Sequence, residues 1–358
     1  MSNTLRILLL RDYPAKEFIW DFSDGPEYRR THVEVTTQLC QGEGGGWWTC
    51  DMAYAAEAAD QCKPDIAITL LADFDTDSTA PAEMQERICD QLHERSIPVV
   101  TMLMDSACFM AGPSVACIAL AKALAKFDAI VTINVELRDA LHHFTDTPAY
   151  VWIEGSEVCR RMQHREYPEG ERNLIAMVRF HSERPNWRWS GSIYNYMVLK
   201  GILDRFPNYT AFAIAPGPAG PDPFLDYLGI ADRVIPPAPG DEFRPWDDSI
   251  ALLCRSKLAI HMDAGATRSH FLVEAAACGV PAITNALPHS ARYLGQGGAV
   301  PTEWAFDEAI LLATRLLTDK SRWRRASESV FQLSKNCGMA SQRWALESII
   351  ANYKEEHP

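Results

Sequence analysis

Residues 263–279, with the sequence DAGATRSHFLVEAAACG, decide the fold of this protein. A short, mostly apolar run at 258–261, LAIH, precedes them and predicts a strand, and Gly265 marks the loop that follows it. The pattern turns helical over 269–278, and a second strand is predicted at 281–285. Strand, loop, helix and strand in this order are typical of a βαβ unit in a parallel sheet.

The start of this helix predicts a diphosphate site. The first amides of a helix have no partner within the helix, and the guanidinium of Arg268 lies beside them in the sequence. Glu274 lies further along the same helix, where its carboxylate is expected to accept hydrogen bonds from a ribose diol. The residues around this helix that are predicted to bind the donor are Asp263, Thr267, Arg268, Ser269, His270 and Glu274.

Short β-branched runs alternate with longer helical patterns along the whole chain, which favours an α/β fold. Strands are predicted at 6–10, 32–36, 65–70, 98–102, 129–133, 150–153, 173–178, 210–214, 258–261 and 281–285. Helices are predicted at 51–61, 82–95, 114–127, 193–206, 251–256, 269–278, 303–317 and 341–354. The order predicts two doubly wound, Rossmann-like parallel-sheet domains that face a cleft, and ligands of such sheets bind beyond the carboxyl ends of the strands.

The domain bounds follow from a polar segment at 163–172, QHREYPEGER, which is typical of a linker. We expect an acceptor-binding domain at 1–165 and a donor-binding domain at 166–340. The tail at 341–358 forms an amphipathic helix that is expected to pack back on the first domain. Its apolar side contains Trp344, Leu346, Ile349 and Ile350.

The bulk composition restricts the class of protein. The chain has 358 residues, 47% hydrophobic residues and a formal charge of −13, so a folded two-domain protein is expected and nucleic acid is disfavoured as a partner. The cluster Arg322, Arg324 and Arg325 keeps a local contact with phosphates open. Ten cysteines without any CxxC pair predict buried free thiols, and no segment is long and apolar enough for a membrane span. We therefore expect a cytoplasmic protein.

The segment from Glu274 to Ile283, EAAACGVPAI, resembles the hallmark helix of the GT-B glycosyltransferases of family 4. In that family the glutamate that matches Glu274 binds the donor ribose. The family pattern has a further glutamate about eight positions earlier, where this chain has Ala266. Either Asp263 replaces that carboxylate from the preceding turn, or the donor sugar is held differently.

The resemblance extends towards the N-terminus in the family's order. AMVRF at 176–180 matches a strand of the family that ends in a diphosphate-binding arginine, here Arg179. AIAPGP at 213–218 matches the family's glycine turn near the nucleotide base, so Gly217 is a further donor-binding candidate. The family's lysine has no clean match, and Arg184 or Arg188 offers the charge instead. The resemblance implies retention of configuration, no metal and no cofactor beyond a UDP- or GDP-sugar as co-substrate.

The acceptor side is expected in the first domain. GEGGGWW at 42–48 resembles the family's glycine-rich loop at a helix entrance, and it supplies the candidate acceptor-binding residues Gly44, Gly45, Gly46, Trp47 and Trp48. Asp105 follows a predicted strand and is expected to steer an acceptor hydroxyl. Phage α-glucosyltransferases that modify DNA bases have an aspartate after the similar strand.

These observations favour transfer of a sugar from a nucleotide diphosphate sugar to an acceptor hydroxyl, with Arg179, Arg184, Arg188 and Asp105 in the catalytic set. The acceptor stays open between a small molecule, a glycan, a protein and a modified DNA base. A nucleotide-sugar epimerase and a non-catalytic nucleotide-sugar binder on the same fold are the alternatives. Asp73, Asp75 and Asp77 form a DxD pattern that we interpret as a solvated loop. A calcium loop would have glycine at its sixth and glutamate at its twelfth position, where this chain has Ser78 and Met84.

Overall fold

The computed structural model of the protein describes residues 5–11, 20–21, 46–71, 80–103, 118, 121–132, 135–151, 172–178, 192–214, 223–235, 246–262, 270–285, 298–302, 304–335 and 339–357. The chain divides into two compact units. The first comprises Met1–Gly155 and Gly338–Pro358, and the second comprises Ser156–Cys337. Within the described residues, no helix is long and apolar enough to cross a membrane.

The first unit contains a seven-stranded sheet in the order β2-β3-β1-β4-β5-β6-β7. Strand β2 is antiparallel to β3, and every other neighbouring pair is parallel. Strands β2 and β3 lie on one side of β1, and β4 to β7 lie on its other side. The strand order therefore reverses between β1 and β4. The strands are β1 (Arg6–Arg11), β2 (Trp20–Asp21), β3 (Gly46–Asp51), β4 (Ile66–Leu71), β5 (Val99–Leu103), β6 (Ala129–Thr132) and β7 (Ala149–Val151).

Both faces of this sheet are covered, which explains why β1 is an almost continuous apolar run. Leu8 and Leu10 contribute to the core on the side of α1 (Ala55–Cys62), α2 (Ala80–His93) and α3 (Val135–Leu141). Ile7 and Leu9 contribute to a core on the other side, which contains Leu346, Ile349 and Ile350 of the C-terminal helix α10 (Met339–Glu356). The described tail helix therefore packs on the sheet of the first unit.

The second unit contains a six-stranded, fully parallel sheet in the order β10-β9-β8-β11-β12-β13. Numbered within the unit, this is the 3-2-1-4-5-6 order of dinucleotide-binding Rossmann sheets, with its reversal between β8 and β11. The strands are β8 (Leu174–Val178), β9 (Thr210–Ile214), β10 (Val234–Ile235), β11 (Ser256–His261), β12 (Ala282–Asn285) and β13 (Ala299–Val300).

Helices lie on both faces of the second sheet. On one face α4 (Ser192–Arg205) packs against α8 (Phe306–Thr318), and a Cβ on Gly201 of α4 would overlap the Ile310 side chain of α8, so glycine permits this close approach. On the other face α7 (His270–Ala277) packs against α9 (Lys320–Ser334). Two further helices are α5 (Pro223–Tyr227) and α6 (Trp246–Cys254).

The structure confirms the α/β class and most elements predicted from the sequence, with bounds that differ by a few residues. Helices α3, α5 and α9 and the strands β2, β3, β10 and β13 were not predicted. The predicted strand at 32–36 lies outside the described residues. The predicted helix at 114–127 is described as helical at 118 and 121–124. In α10, Trp344 is 65% exposed, so the prediction that this residue contributes to the apolar side is wrong.

Candidate active site

The strand order places a candidate site at the carboxyl ends of β8 and β11. Ligands of open parallel sheets bind where the strand order reverses, because the two loops there diverge to opposite faces and leave a crevice. Strand β8 leads towards α4 and strand β11 leads towards α7. The described residues that border this point are Asn195 of α4, His261 and Met262 after β11, and the helix α7.

Helix α7 is buried almost all round, and Glu274 is the exception. From Phe271 to Asn285 every described residue is buried except Glu274, which is half-buried. Small side chains at Ala275, Ala276 and Ala277 let the helix lie close to the sheet. Among the described side chains of α7, 271–277, the Glu274 carboxylate is therefore the accessible polar group, whereas its neighbours contribute to the core.

Met262, the residue after β11, is held by a hydrogen bond to the neighbouring helix. Asn195 lies in the first turn of α4 and is fully buried. Its side-chain oxygen accepts a 2.6 Å hydrogen bond from the backbone N–H of Met262. Because Met262 is the last described residue before the segment 263–269, this bond anchors the start of that segment at the reversal point.

His261 ends β11 and is buried, with its ring stacked on Phe271 of α7 at a centroid distance of 6.1 Å. Burial lowers the pKa of His261 to about 4. The imidazole is therefore neutral at physiological pH and contributes no positive charge to the site. A neutral buried ring here shapes the floor of the site and separates α7 from the strand.

The opposite end of α7 is held by a buried cation, Arg172. Its guanidinium donates hydrogen bonds to the carbonyl oxygens of Ser256, Cys278 and Gly279 at 3.1–3.3 Å. The last carbonyls of a helix have no partner within the helix and carry partial negative charge, which a cation stabilises. Arg172 was predicted to lie in a polar linker, but it is 8% exposed, and it joins the end of α7 to the start of β11.

Helix α9 completes the support of that end. The Ser327 hydroxyl donates to the carbonyl of Gly279, and the indole N–H of Trp323 donates to the carbonyl of Lys257 at 2.6 Å. The ammonium of Lys257 lies 3.6 Å from the Trp323 ring centroid. Burial is the main cause that lowers the pKa of Lys257, and the nearby positive charges of Arg172 and Lys320 lower it further.

Five described cysteines test the prediction of buried thiols. None of them forms a disulfide, and Cys50, Cys89 and Cys278 are buried as predicted, whereas Cys62 and Cys254 are only half-buried. Burial raises the pKa of Cys89. A hydrogen bond with the Cys254 side chain, together with burial, raises the pKa of Cys278.

Most of the predicted site residues fall outside the described part of the chain. These are Gly44, Gly45, Asp105, Arg179, Arg184, Arg188, Gly217, Asp263, Thr267, Arg268 and Ser269, together with Ala266 and the DxD segment. Two described residues belong to the predicted donor set. His270 is the first residue of α7, and Glu274 lies in its second turn.

The remaining predicted residues, Gly46, Trp47 and Trp48, lie in a strand. The sequence predicted a loop before a helix, and that prediction is wrong because these residues open β3 and pair with Arg6, Ile7 and Leu8 of β1. They therefore lie at the amino ends of the parallel strands, opposite the edge where such sheets bind ligands. Trp48 packs against the core of the first unit. The acceptor role of the segment stays a prediction.

Three described residues around the site were missed from the sequence. Asn195 could have been noticed as a polar residue inside the apolar run IYNYMVL, where a buried amide requires a partner. His261 ends a run of buried strand residues, which is a place where histidine is commonly neutral. Arg172 had no signal, because the partners of its guanidinium come from segments 84 to 107 residues away.

Among the described residues, no group of three His, Cys, Asp or Glu side chains is arranged to hold a metal ion. No protein-family model matches the sequence, and neither does any curated protein sequence. The resemblance to glycosyltransferase family 4 and to the phage enzymes therefore remains an expectation.

Solved structures show which class of fold this is. The two parallel-sheet domains have the GT-B fold of glycosyltransferases. An α,α-trehalose 6-phosphate synthase from Burkholderia multivorans matches with a TM-score of 0.65 and 9% identity, covering 99% of this chain and 100% of that chain.

Two further structures support the same fold. The E. coli trehalose-6-phosphate enzyme, bound with UDP-2-fluoro glucose, matches with a TM-score of 0.61 and 10% identity over 96% of this chain and 99% of that one. S. aureus TarM, solved with UDP and α-GlcNAc-glycerol, matches with a TM-score of 0.59 and 7% identity over 84% of this chain and 58% of that one.

Proposed function

We propose that the protein is a glycosyltransferase that moves a sugar from a UDP- or GDP-sugar to an acceptor hydroxyl. The observation that carries the proposal is Glu274, the one half-buried residue in a described stretch, 271–285, that is otherwise buried. It lies on the helix that follows β11 at the strand-order reversal. A carboxylate at this position suits hydrogen bonds from the ribose hydroxyls of a nucleotide.

The fold supports the same conclusion. The structural likeness extends over nearly the whole of both chains for the trehalose-phosphate synthases, one of which was solved with a UDP-sugar analogue. A Rossmann-like domain suits such donors, because it supplies a ligand-binding edge at the carboxyl ends of its strands.

The chemistry requires stabilisation of the departing diphosphate. Arg179 follows β8 directly in the chain, and Arg268 lies in the segment between β11 and α7. Both segments start from strands that meet at the reversal point. Cations and helix amides placed there would stabilise the negative charge that grows on the leaving group. We propose Arg184 or Arg188 as a second cation and Asp105 as the residue that orients the acceptor hydroxyl.

Retention of configuration and independence of metal belong to the same proposal. A leaving phosphate that itself takes the acceptor proton needs no separate base. The product's anomeric configuration, determined by NMR, tests the first point. Turnover that is unchanged after EDTA treatment would support the second.

Incubation with UDP-, GDP- and TDP-sugars tests the function directly. Slow release of free nucleotide diphosphate from one donor is the expected result, because glycosyltransferases transfer to water at a low rate. Conversion of the sugar into its epimer would indicate an epimerase instead. Thermal stabilisation by a donor without any turnover, including with candidate acceptors, would indicate a binding protein.

The variant Glu274→Ala tests the site. Loss of hydrogen bonds to a charged carboxylate is expected to raise the dissociation constant for the nucleotide about 10- to 100-fold. Isothermal titration with UDP and GDP measures this, and circular dichroism verifies that the fold is intact. The control is Glu328→Ala, which removes an exposed glutamate of α9 that pairs with Arg324 and should leave binding unchanged. Equal affinities for wild type and Glu274→Ala would disprove the donor-site assignment.

A further inference from the structure

An exposed aromatic group lies on the second unit, outside the nucleotide site proposed above. Trp304 is 63% exposed, and its indole ring makes edge contacts with Tyr194 at 4.8 Å and Phe306 at 6.1 Å between centroids. Ile193 and Met197 of α4 are exposed as well. We name Tyr194, Trp304 and Phe306 the aromatic platform. The two neighbouring rings hold the indole in one orientation while most of its surface stays accessible to solvent.

The platform lies at the carboxyl-end edge of the second sheet. Tyr194 is in the first turn of α4, the helix that follows β8, and Trp304 lies between β13 and α8. Because α4 and α8 pack closely at Gly201 and Ile310, the two sides of the platform are rigidly connected. Open parallel sheets bind their ligands at this edge.

The platform is also connected to the candidate active site. Tyr194 precedes Asn195 in the chain, and Asn195 bonds to Met262 at the end of β11. The first turn of α4 therefore contains both Tyr194, which contacts Trp304, and Asn195, which binds Met262. A ligand on the platform would lie at the same carboxyl-end edge of the sheet as the proposed donor site.

The charges around the platform select the kind of ligand. Asp307 and Glu308 are exposed in the first turn of α8. Residues 299–314 contain no lysine or arginine, and neither do residues 192–199. The described charged groups beside the platform, Asp307 and Glu308, are carboxylates, which repel phosphates and therefore disfavour nucleic acid and an anionic lipid surface. Carboxylates do accept hydrogen bonds from sugar hydroxyls, and the apolar C–H face of a sugar ring can cover an indole.

We infer that the aromatic platform binds a neutral sugar ring, and that the acceptor is a neutral glycan rather than a modified DNA base. The assignment of the bound glycan as the acceptor rests on the proposed glycosyl transfer. The binding of a neutral sugar ring to the platform does not depend on it. A ring that lies on Trp304 would position the glycan chain, while the hydroxyl that reacts lies nearer Glu274.

The experiment compares two tryptophans of equal exposure. Trp304 and Trp344 are 63% and 65% exposed, and Trp344 lies on α10 of the first unit. Saturation-transfer NMR and titration with maltohexaose, cellohexaose and chitohexaose, in the absence of donor, measure binding to the full chain. At least one of these oligosaccharides should bind the wild type. Trp304→Ala should weaken that binding about 3- to 10-fold, the loss expected for one aromatic stacking contact.

The controls identify the source of binding. Trp344→Ala and high salt should both leave the affinity unchanged, and Trp304→Phe should retain most of it. No binding of any neutral oligosaccharide to the wild type would overturn the inference, as would equal weakening by both alanine variants. Self-association of the wild type that Trp304→Ala abolishes would assign the surface to a second copy instead. Salt-sensitive binding of a basic peptide at Trp304 would assign it to a cationic partner.

The outcome is separable from that of the proposed function. If the oligosaccharide binds through Trp304 but neither UDP nor GDP binds, the platform stands and the glycosyltransferase proposal fails. If the nucleotide binds through Glu274 but no oligosaccharide binds, the proposed function stands and the platform fails.

Discussion

The two ends of the β11–α7 pair are held by different physical means. At the amino end of β11, Arg172, Trp323 and Ser327 supply donors to carbonyl oxygens of β11 and of the residues just after α7. At its carboxyl end, one amide from Asn195 and a neutral imidazole at His261 border the segment that leads into α7. The hydrogen bonds from Arg172, Trp323 and Ser327 therefore fix the end of α7 that lies away from the candidate site.

Removal of the rear support should have the largest effect. Arg172→Ala deprives three carbonyls of a charged donor, and we expect the free energy of unfolding to fall by about 4 kcal/mol. Urea unfolding followed by circular dichroism measures the loss. Arg172→Lys keeps the charge without the planar fork and should recover part of it. The exposed Arg324, paired with Glu328, is the control, and its alanine variant should stay within about 1 kcal/mol of wild type. Equal losses in the two alanine variants would show that the rear network contributes little.

The burial of His261 should make the free energy of unfolding depend on pH. The pKa of His261 lies near 4 in the folded protein and near 6.5 in the unfolded chain, so the unfolded state binds more protons between these values. Stability should therefore fall as the pH drops from 6.5 to 4, by as much as about 3 kcal/mol, and should be constant with respect to this group above pH 6.5. Urea unfolding of wild type and His261→Gln at several pH values measures the difference in slope. A wild-type slope in His261→Gln would show that the His261 ring takes up protons equally in the folded and unfolded states.

Loss of the hydrogen bond between Asn195 and Met262 should have a smaller effect on stability, together with a local effect on the candidate site. Asn195→Ala leaves the buried N–H of Met262 without its acceptor, which costs about 2 kcal/mol. Because the clamp fixes the start of segment 263–269, the affinity for UDP or GDP should fall as well. Asn352→Ala, an exposed change in α10, should alter neither quantity. Unchanged nucleotide affinity in Asn195→Ala would separate the clamp from the site.

The smallest effect concerns the first unit, where buried polar groups are left without partners. Thr69 and Thr101 lie opposite each other in β4 and β5, are fully buried, and have hydroxyls with no hydrogen bond. Thr101→Val should therefore be neutral or stabilise by about 1 kcal/mol. Thr147→Val is the matched control, because the Thr147 hydroxyl donates to the carbonyl of Leu124 at 2.8 Å and its loss should destabilise. Thermal denaturation of both variants measures the contrast, and a destabilised Thr101→Val would imply a buried water on that hydroxyl.

The sequence predicted much of the fold because its signals are local. Alternation of β-branched runs and helical patterns located the strands β1, β4, β5, β8 and β9 within a few residues. Segments with mixed signals were predicted less well. Gly46 to Trp48 contain glycine and bulky aromatics, and their strand conformation comes from pairing with β1, which is 40 residues away. Helix α9 contains four basic residues in its first two turns, and these obscured its apolar side.

The same distinction between local and long-range signals applies to the candidate site. The sequence by itself determined that a strand, a loop and a helix with Glu274 follow one another, since neighbouring residues decide helix and strand. Tertiary structure alone decided the order of the strands, the reversal between β8 and β11, and the burial of all of the described stretch 271–285 except Glu274. It also brought Asn195 to Met262 and Arg172 to Gly279, because bonds between residues 67 and 107 positions apart depend on how the sheet is assembled and leave no periodic pattern in the chain.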